Sequence, residues 1–202
     1  MKNYRPLSLL PSISKIFEKI VYKQIYKHFQ EFDLFFDSQY GFREGHSCEL
    51  AAIEFVEYLK SEIEKKHIPI SIFLDLSRAF DNVNHEILIE KMNRYGITGV
   101  ELKWFKSYLT NRKSFVVYGD AKSSTLNLIK GVPQGSILGP LLFLIYMNDF
   151  NSSSNYFKFI CYADDSTLMF FLCLQKRSSR DHKLCKHANS TNSSLINLEL
   201  KM

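Results

Sequence analysis

Three carboxylates stand where carboxylates are costly. Asp75 closes the apolar run ISIFLD, and Asp164 and Asp165 interrupt the apolar stretch YFKFICYADDSTLMFF (156–171). An acid at the end of a buried strand needs compensation, and a divalent cation supplies it. If the two runs are neighbouring strands, the three carboxylates converge at one sheet edge. All-oxygen ligation of that kind suits Mg²⁺ or Mn²⁺ rather than zinc. Two such ions, about 3.5–4 Å apart, can hold the attacking and leaving oxygens of an in-line phosphoryl transfer. A plainer alternative stays open. Paired Asp residues at a hairpin bend are also ordinary turn chemistry, and spacing alone does not carry Asp75 to the pair. Cys173, His182, Cys185 and His187 follow no standard zinc spacing.

The elements that must position these acids are read from periodicity. Pro11-Ser12 opens a helix with apolar residues at Ile13, Ile16, Phe17, Ile20, Val21, Ile25 and Phe29. Residues 31–46 lose that period and carry two glycines, which predicts a loop. Ser47 is placed to cap a second helix to about Lys66, with Ala52, Val56, Leu59 and Ile63 on one face. The run ISIFLD predicts a buried strand. Helices follow from about His85 to Tyr95, stopped by Gly96, and from about Val100 to Leu109, presenting Leu102, Phe105 and Leu109. SFVVYG (114–119) and STLNLIK (124–130) predict a hairpin. GVPQG (131–135) is a glycine-bracketed loop, and Pro140 suits the first turn of a helix reaching about Asn148. The stretch 156–171 predicts a second hairpin with Asp164 and Asp165 at its turn. This order predicts an α+β fold, with helices packed on a small antiparallel sheet.

Composition sets the class. The 202 residues are 46% hydrophobic and 23% charged, which excludes wholesale disorder and collagen-like or disulfide-rich scaffolds. Four cysteines form no CxxC pair and no secretory signal opens the chain, so an intracellular location, nucleus or cytoplasm, is expected over secretion. The longest apolar run, 137–147, is about half of what a membrane span needs, so no membrane association is expected. The net charge of +5 invites a nucleic-acid partner. Most of the excess lies in residues 172–202. Near the N-terminus, Lys2, Arg5, Lys15, Lys19, Lys23 and Lys27 face only Glu18. That pattern is a basic binding element or a solvated helix face.

Five blocks, taken in order, resemble a known family. NYRPLSLLPSISKIFEKIV (3–21), QYGFREGHSCELA (39–51), FLDLSRAFDNVNH (73–85), GVPQGSILGPLLFLIYMNDF (131–150) and YADD (162–165) are similar to the reverse transcriptase domain of non-LTR retrotransposons of the jockey-like, LINE type. The first two resemble fingers blocks. The last three resemble polymerase motifs A, B and C. The ordered set is far more specific than YADD alone.

The resemblance implies a right-hand polymerase: partial fingers at 1–68, a palm at 69–171 and a divergent basic tail at 172–202. The palm is a small antiparallel sheet with helices packed on it. A missing thumb is expected, because no thumb or motif D block is recognisable after Phe171. Asp75 and Asp164 fall on the main metal ligands, Mg²⁺ or Mn²⁺, with Asp165 in a supporting role. Phe80 falls on the aromatic that excludes a ribose 2′-hydroxyl and so selects dNTPs; without that context it reads as a core ring. Gln134 and Gly135 fall beside the incoming nucleotide, and Gly131 and Gly135 allow close backbone approach. Arg5 falls on a fingers arginine that neutralises triphosphate charge. Arg43 falls on a residue supporting template or fingers, with a structural salt bridge as the alternative. Tyr162 and Ala163 adjoin the primer end. The implied function is RNA-directed DNA synthesis from dNTPs on an RNA template and a DNA primer. The alternatives are an inactive remnant or a domesticated binding module.

Overall fold

The computed structural model describes residues 7–173. Arg5 and most of the basic tail lie outside the described residues. The elements in chain order are α1 (Ser12–Glu31), α2 (Cys48–Glu64), β1 (His67–Asp75), a 3₁₀ turn (Ala79–Asn82), α3 (His85–Arg94), α4 (Gly99–Leu109), β2 (Arg112–Ser114), β3 (Val117–Tyr118), β4 (Ala121–Lys122), β5 (Leu126–Leu128), α5 (Leu138–Met147), a second 3₁₀ turn (Phe150–Ser153), β6 (Lys158–Tyr162) and β7 (Asp165–Cys173). The result is a mixture of helices and small antiparallel sheets.

The central element is α5, whose sequence LGPLLFLIYM is apolar on every side. Leu138, Gly139 and residues 141–145 are all buried, as expected of a helix surrounded by protein. Helices α1, α3 and α4 pack around it through Ile25, Phe29, Leu88, Met92, Phe105 and Leu109. Each such side chain, fully buried, contributes about 1.5–3 kcal/mol of apolar transfer. Local signals fix the helix starts. The Asn84 side chain accepts from the Glu86 and Ile87 amides, and Ser47 accepts from Leu50 N–H, each filling an orphan donor of the first turn.

The main sheet has the order β1-β7-β6, antiparallel throughout. Two sequence expectations need correction here. First, β1 is not a buried strand. It is an edge strand with Ile68 and Ile72 exposed and Phe73 72% exposed. Second, α2 turns a different face inward. Ala51, Phe55 and Tyr58 meet Ile160 and Met169 of the sheet, while Val56 and Ile63 face out. Helix α1 forms where the period placed it, and its first half leaves Ile13, Ile16, Phe17 and Ile20 exposed, with Glu18 among its buried residues. The hairpin expected after α4 exists as two short ladders, β2 with β5 and β3 with β4. No helix among the described residues is long and apolar enough to cross a membrane.

Candidate active site

The acidic turn is short. Tyr162 pairs with Asp165 across β6 and β7, so Ala163 and Asp164 alone make the bend. Asp165 is already the first residue of β7. The same strand pairs with β1, which sets Asp75 opposite Asp165. Asp75 and Asp164 both line a cleft of about 500 Å³, and Asp165 is not part of its lining. Asp75 and Asp165, directly opposite across the two strands, share a face of the sheet, and Asp164 stands in the bend beside them. Of the three acids expected to converge, the cleft lining holds Asp75 and Asp164. Among the described residues, no group of three or more His, Cys, Asp or Glu side chains is assembled to hold a metal.

The donor chemistry still fits one hard cation. Asp75 is exposed and Asp164 half-buried, so both offer carboxylate oxygens with water at hand. Mg²⁺ keeps several of its waters and is bound through one or two carboxylates plus substrate phosphates. The other charged residues of the lining are Asp81 and Arg78.

The second wall is the 3₁₀ turn that follows β1. Its Phe80 ring stacks on Phe143 of α5, with centroids 4.6 Å apart and planes 18° apart. The Phe42 ring meets it edge-on at 6.0 Å. Phe80 is thus anchored to the core and also lines the cleft.

The third wall is the loop 131–135, laced to that turn. Gly131 N–H donates to Val83 O (2.8 Å), and Val132 N–H donates to Phe80 O (2.9 Å). A His85 ring nitrogen lies 2.7 Å from Gly131 O. Gly131 has φ +87°, and a Cβ there would lie 2.8 Å from the Asp81 carbonyl oxygen. Its close approach is thus to the protein's own backbone. Gln134 donates from Nε2 to Asp81 Oδ1 (2.8 Å), and its backbone carbonyl accepts from Ser8 N–H (2.8 Å). Gly135, with φ +93°, sits in the lining. Behind this loop Glu18 is buried. It accepts from Tyr108 OH (2.7 Å) and from Ile137 N–H (2.7 Å) at the start of α5. A carboxylate at a helix N-terminus is favoured by the helix dipole. Burial, followed by the Glu18 carboxylate, pushes the Tyr108 phenol well above its ordinary value.

Other candidates fall outside the lining. Tyr162 is exposed at the end of β6, and Ala163 is buried. Arg43 donates from Nη1 to Phe36 O (2.7 Å), Asp37 O (3.3 Å) and Gln39 O (3.4 Å), and its guanidinium lies over the Phe35 ring. It staples the loop before α2.

Sequence reasoning passed over a polar network behind the acidic turn. Glu54 of α2 accepts from Ser38 Oγ (3.1 Å) and from Tyr40 OH, and pairs with Lys158 of β6 (2.5 Å). Burial alone raises the Glu54 carboxyl, but Lys158, Tyr40 and Ser38 together outweigh it and hold the group below its ordinary range. The Tyr40 phenol is pushed up to about 12 by burial and by Glu54. Gln39, between Ser38 and Tyr40, turns the other way and bonds to Ala163. The available signal was weak: polar residues alternating in a stretch read as loop. For Glu18, a lone acid on the apolar side of α1 was the signal.

Comparison with known proteins gives a consistent result. Residues 1–201 match the protein family described as reverse transcriptase (RNA-dependent DNA polymerase). The match runs past Phe171, where the recognisable motifs stop. The chain is 37% identical over 147 residues to the probable RNA-directed DNA polymerase from transposon X-element of Drosophila melanogaster, covering 73% of this chain and 16% of that protein. It is 31% identical over 182 residues to the probable RNA-directed DNA polymerase from transposon BS of the same species, covering 84% and 19%. It is 35% identical over 153 residues to the RNA-directed DNA polymerase from mobile element jockey, also of that species, covering 73% and 16%. The chain therefore spans less than a fifth of the length of these relatives.

Among solved structures, apo telomerase from Candida tropicalis, truncated from its C-terminal domain, superposes with a TM-score of 0.56 at 14% identity, covering 88% of this chain and 37% of that one. Telomerase from Candida albicans in complex with a TWJ fragment of telomeric RNA gives 0.53 at 12% identity, covering 87% and 32%. At such identities the likeness is one of fold.

Proposed function

The chain belongs to the reverse transcriptase (RNA-dependent DNA polymerase) family, and from that membership we propose that its cleft joins a dNTP to a DNA primer 3′-hydroxyl under the direction of an RNA template. The observation that carries this reading is the meeting of Asp75 and Asp164, from distant parts of the chain, in one cleft with Phe80, Gln134 and Gly135. In this reading 1–68 are fingers and 69–171 are palm.

Each residue has a role that follows from its chemistry. Asp75 and Asp164 hold Mg²⁺ or Mn²⁺, with Asp165 supporting from the next strand position. The bound cation supplies Lewis-acid polarisation of phosphate oxygens and neutralises charge developing on them. The need for it is electrostatic. Three carboxylates and one guanidinium line the cleft, a balance that repels a triphosphate unless cations accompany it. Arg5, outside the described residues, adds charge toward the triphosphate.

The Phe80 ring, backed by Phe143, stands as a rigid floor beneath the sugar and leaves no space for a 2′-hydroxyl. Gln134, its amide fixed by Asp81, contacts the incoming nucleotide, and Gly135 lets the backbone approach it. Tyr162 and Ala163 border the primer end, and Arg43 supports the template by holding its own loop in place. Lys15, Lys19, Lys23 and Lys27 recur every fourth residue on the exposed side of α1, a row suited to phosphate backbone.

Primer extension with the full chain, an RNA template and Mg²⁺ tests the reading. Template-dependent incorporation is expected, and Asp164→Asn is expected to lower it by at least about a hundredfold. Incorporation that survives Asp164→Asn overturns the assignment. Phe80→Ala is expected to lower KM for ribonucleotides while leaving that for dNTPs nearly unchanged.

A further inference from the structure

Ala163 poses a physical problem that the proposed chemistry does not solve. It is a non-glycine residue with φ +56°, a conformation that costs roughly 1–2 kcal/mol for an L-residue. Such a conformation persists when its surroundings over-determine it. The determinant here is one side chain. Gln39 Oε1 accepts from the Ala163 amide (2.9 Å), and Gln39 Nε2 donates to the Ala163 carbonyl (3.3 Å). The same Oε1 accepts from Gly41 N–H (2.9 Å). A single buried carboxamide therefore engages both backbone polar groups of the residue before Asp164.

Gln39 is itself held on both sides. Its segment adds to the free edge of β6: Tyr40 N–H donates to Cys161 O (2.8 Å), and Cys161 N–H donates to Ser38 O (2.8 Å). On an extended segment side chains alternate. Ser38 and Tyr40 face Glu54, and Gln39 faces the turn. Gly41 completes the fit, since a Cβ there would run into the Ala163 amide nitrogen.

We infer that Gln39 is a positioning residue for the acidic turn: its carboxamide locks the Ala163 peptide units so that Asp164 is presented to the cleft before any cation arrives. This rests on the reading of Asp164 as a cation ligand. No other residue type reproduces the contact. A Glu keeps the acceptor and loses the donor, and a Met keeps the shape and loses both.

The test uses the full chain with Mn²⁺ as the probe and two readouts: Mn²⁺ affinity, and the exchange rate of the Ala163 amide against that of the Val132 amide. Gln39→Met is expected to weaken Mn²⁺ binding by about tenfold, in the range typical of residues that orient metal ligands. It is also expected to speed Ala163 exchange at least about tenfold with Val132 unchanged, the mark of local opening. Tyr40→Phe loosens the same segment from its other side and is expected to leave Mn²⁺ affinity within about twofold, since it spares the Ala163 contacts.

Equal Ala163 exchange in wild type and Gln39→Met overturns the inference. So does a loss of Mn²⁺ affinity in Tyr40→Phe equal to that in Gln39→Met, which marks general loosening. If Gln39→Met does not fold, Gln39→Glu decides. Ala163 exchange at least about tenfold faster than wild type supports the lock, since a carboxylate oxygen then faces the Ala163 carbonyl, and exchange within about threefold of wild type refutes it. Asp164→Asn separates the two readings. Unchanged Mn²⁺ binding in that variant removes the cation from Asp164, and the exchange measurement still settles whether Gln39 holds the turn.

Discussion

The two sides of the cleft are held by different physics. Phe80 and the 131–135 loop rest on the large core around α5, by ring stacking and backbone lacing. Asp75 and Asp164 ride on a three-stranded sheet whose buried apolar cluster, among the described residues, is Ala51, Ile160 and Met169. What the sheet side lacks in apolar packing it replaces with the Glu54 network and the Gln39 bonds. Stability is thus concentrated under the proposed nucleotide side and geometry under the acids. Damage to the first should unfold the chain; damage to the second should disarm it while leaving it folded.

The sharpest way to break this contrast is Phe143→Ala. It removes a fully buried ring and the surface Phe80 stacks on, and should destabilise the chain by about 3–5 kcal/mol in denaturant titration. A loss below about 1 kcal/mol would mean that the α5 core is not the main support. Next comes Glu18→Ala, which leaves the Tyr108 hydroxyl and the Ile137 amide without their acceptor. Each orphaned group costs about 1–3 kcal/mol, again read as a fall in unfolding free energy.

The sheet side is examined by pH. The folded-state carboxyl of Glu54 lies below its ordinary 4.5. Its contribution is therefore present above pH 4.5 and is lost as pH falls through the lower folded value. Tyr40 runs the other way. Its folded value of about 12 against an ordinary 10 gives stability that is present below pH 10 and lost as pH rises toward 12. Glu54→Gln should flatten the acid limb of a stability–pH profile, and Tyr40→Phe the alkaline limb. Unaltered limbs would dismiss the network as a support. The smallest effect is expected at the exposed Arg94–Glu90 pair on α3. Arg94→Ala should shift stability by no more than about 0.5 kcal/mol, and a larger shift would blur the contrast.

Much of this molecule is legible in its residues, though not evenly. The helices around the core follow from spacing, as Leu102, Phe105 and Leu109 of α4 illustrate; the last two are buried. The meeting of Asp75 and Asp164 was foreseen only as a condition, because nothing local records a contact between distant strands. Faces were harder. Helix α2 carries two apolar stripes, and periodicity does not say which one meets the sheet; the stripe with Phe55 and Tyr58 does. Strand β1 is apolar enough to be buried, yet lies at a sheet edge, which depends on strand order. Gln39 and Glu54 were invisible for another reason. Single polar residues acquire meaning only from the groups they meet, and their partners lie in other parts of the chain.

The left-handed bend at Ala163 also bears on which sequences can occupy that position. Glycine there would relieve the backbone penalty of about 1–2 kcal/mol, but would restore freedom to the unfolded chain worth roughly 0.5–1 kcal/mol. The penalty relieved is about twice the freedom restored, so folding free energy favours glycine there by roughly 0.5–1 kcal/mol. A β-branched side chain is the worst tenant, since its stiff Cβ must take the left-handed angle while abutting Gly41. Alanine at this bend is therefore the smallest side chain that still limits wandering of the chain, kept against a modest backbone penalty, and repertoires drawn from random mutagenesis should be narrow here, with glycine and alanine foremost.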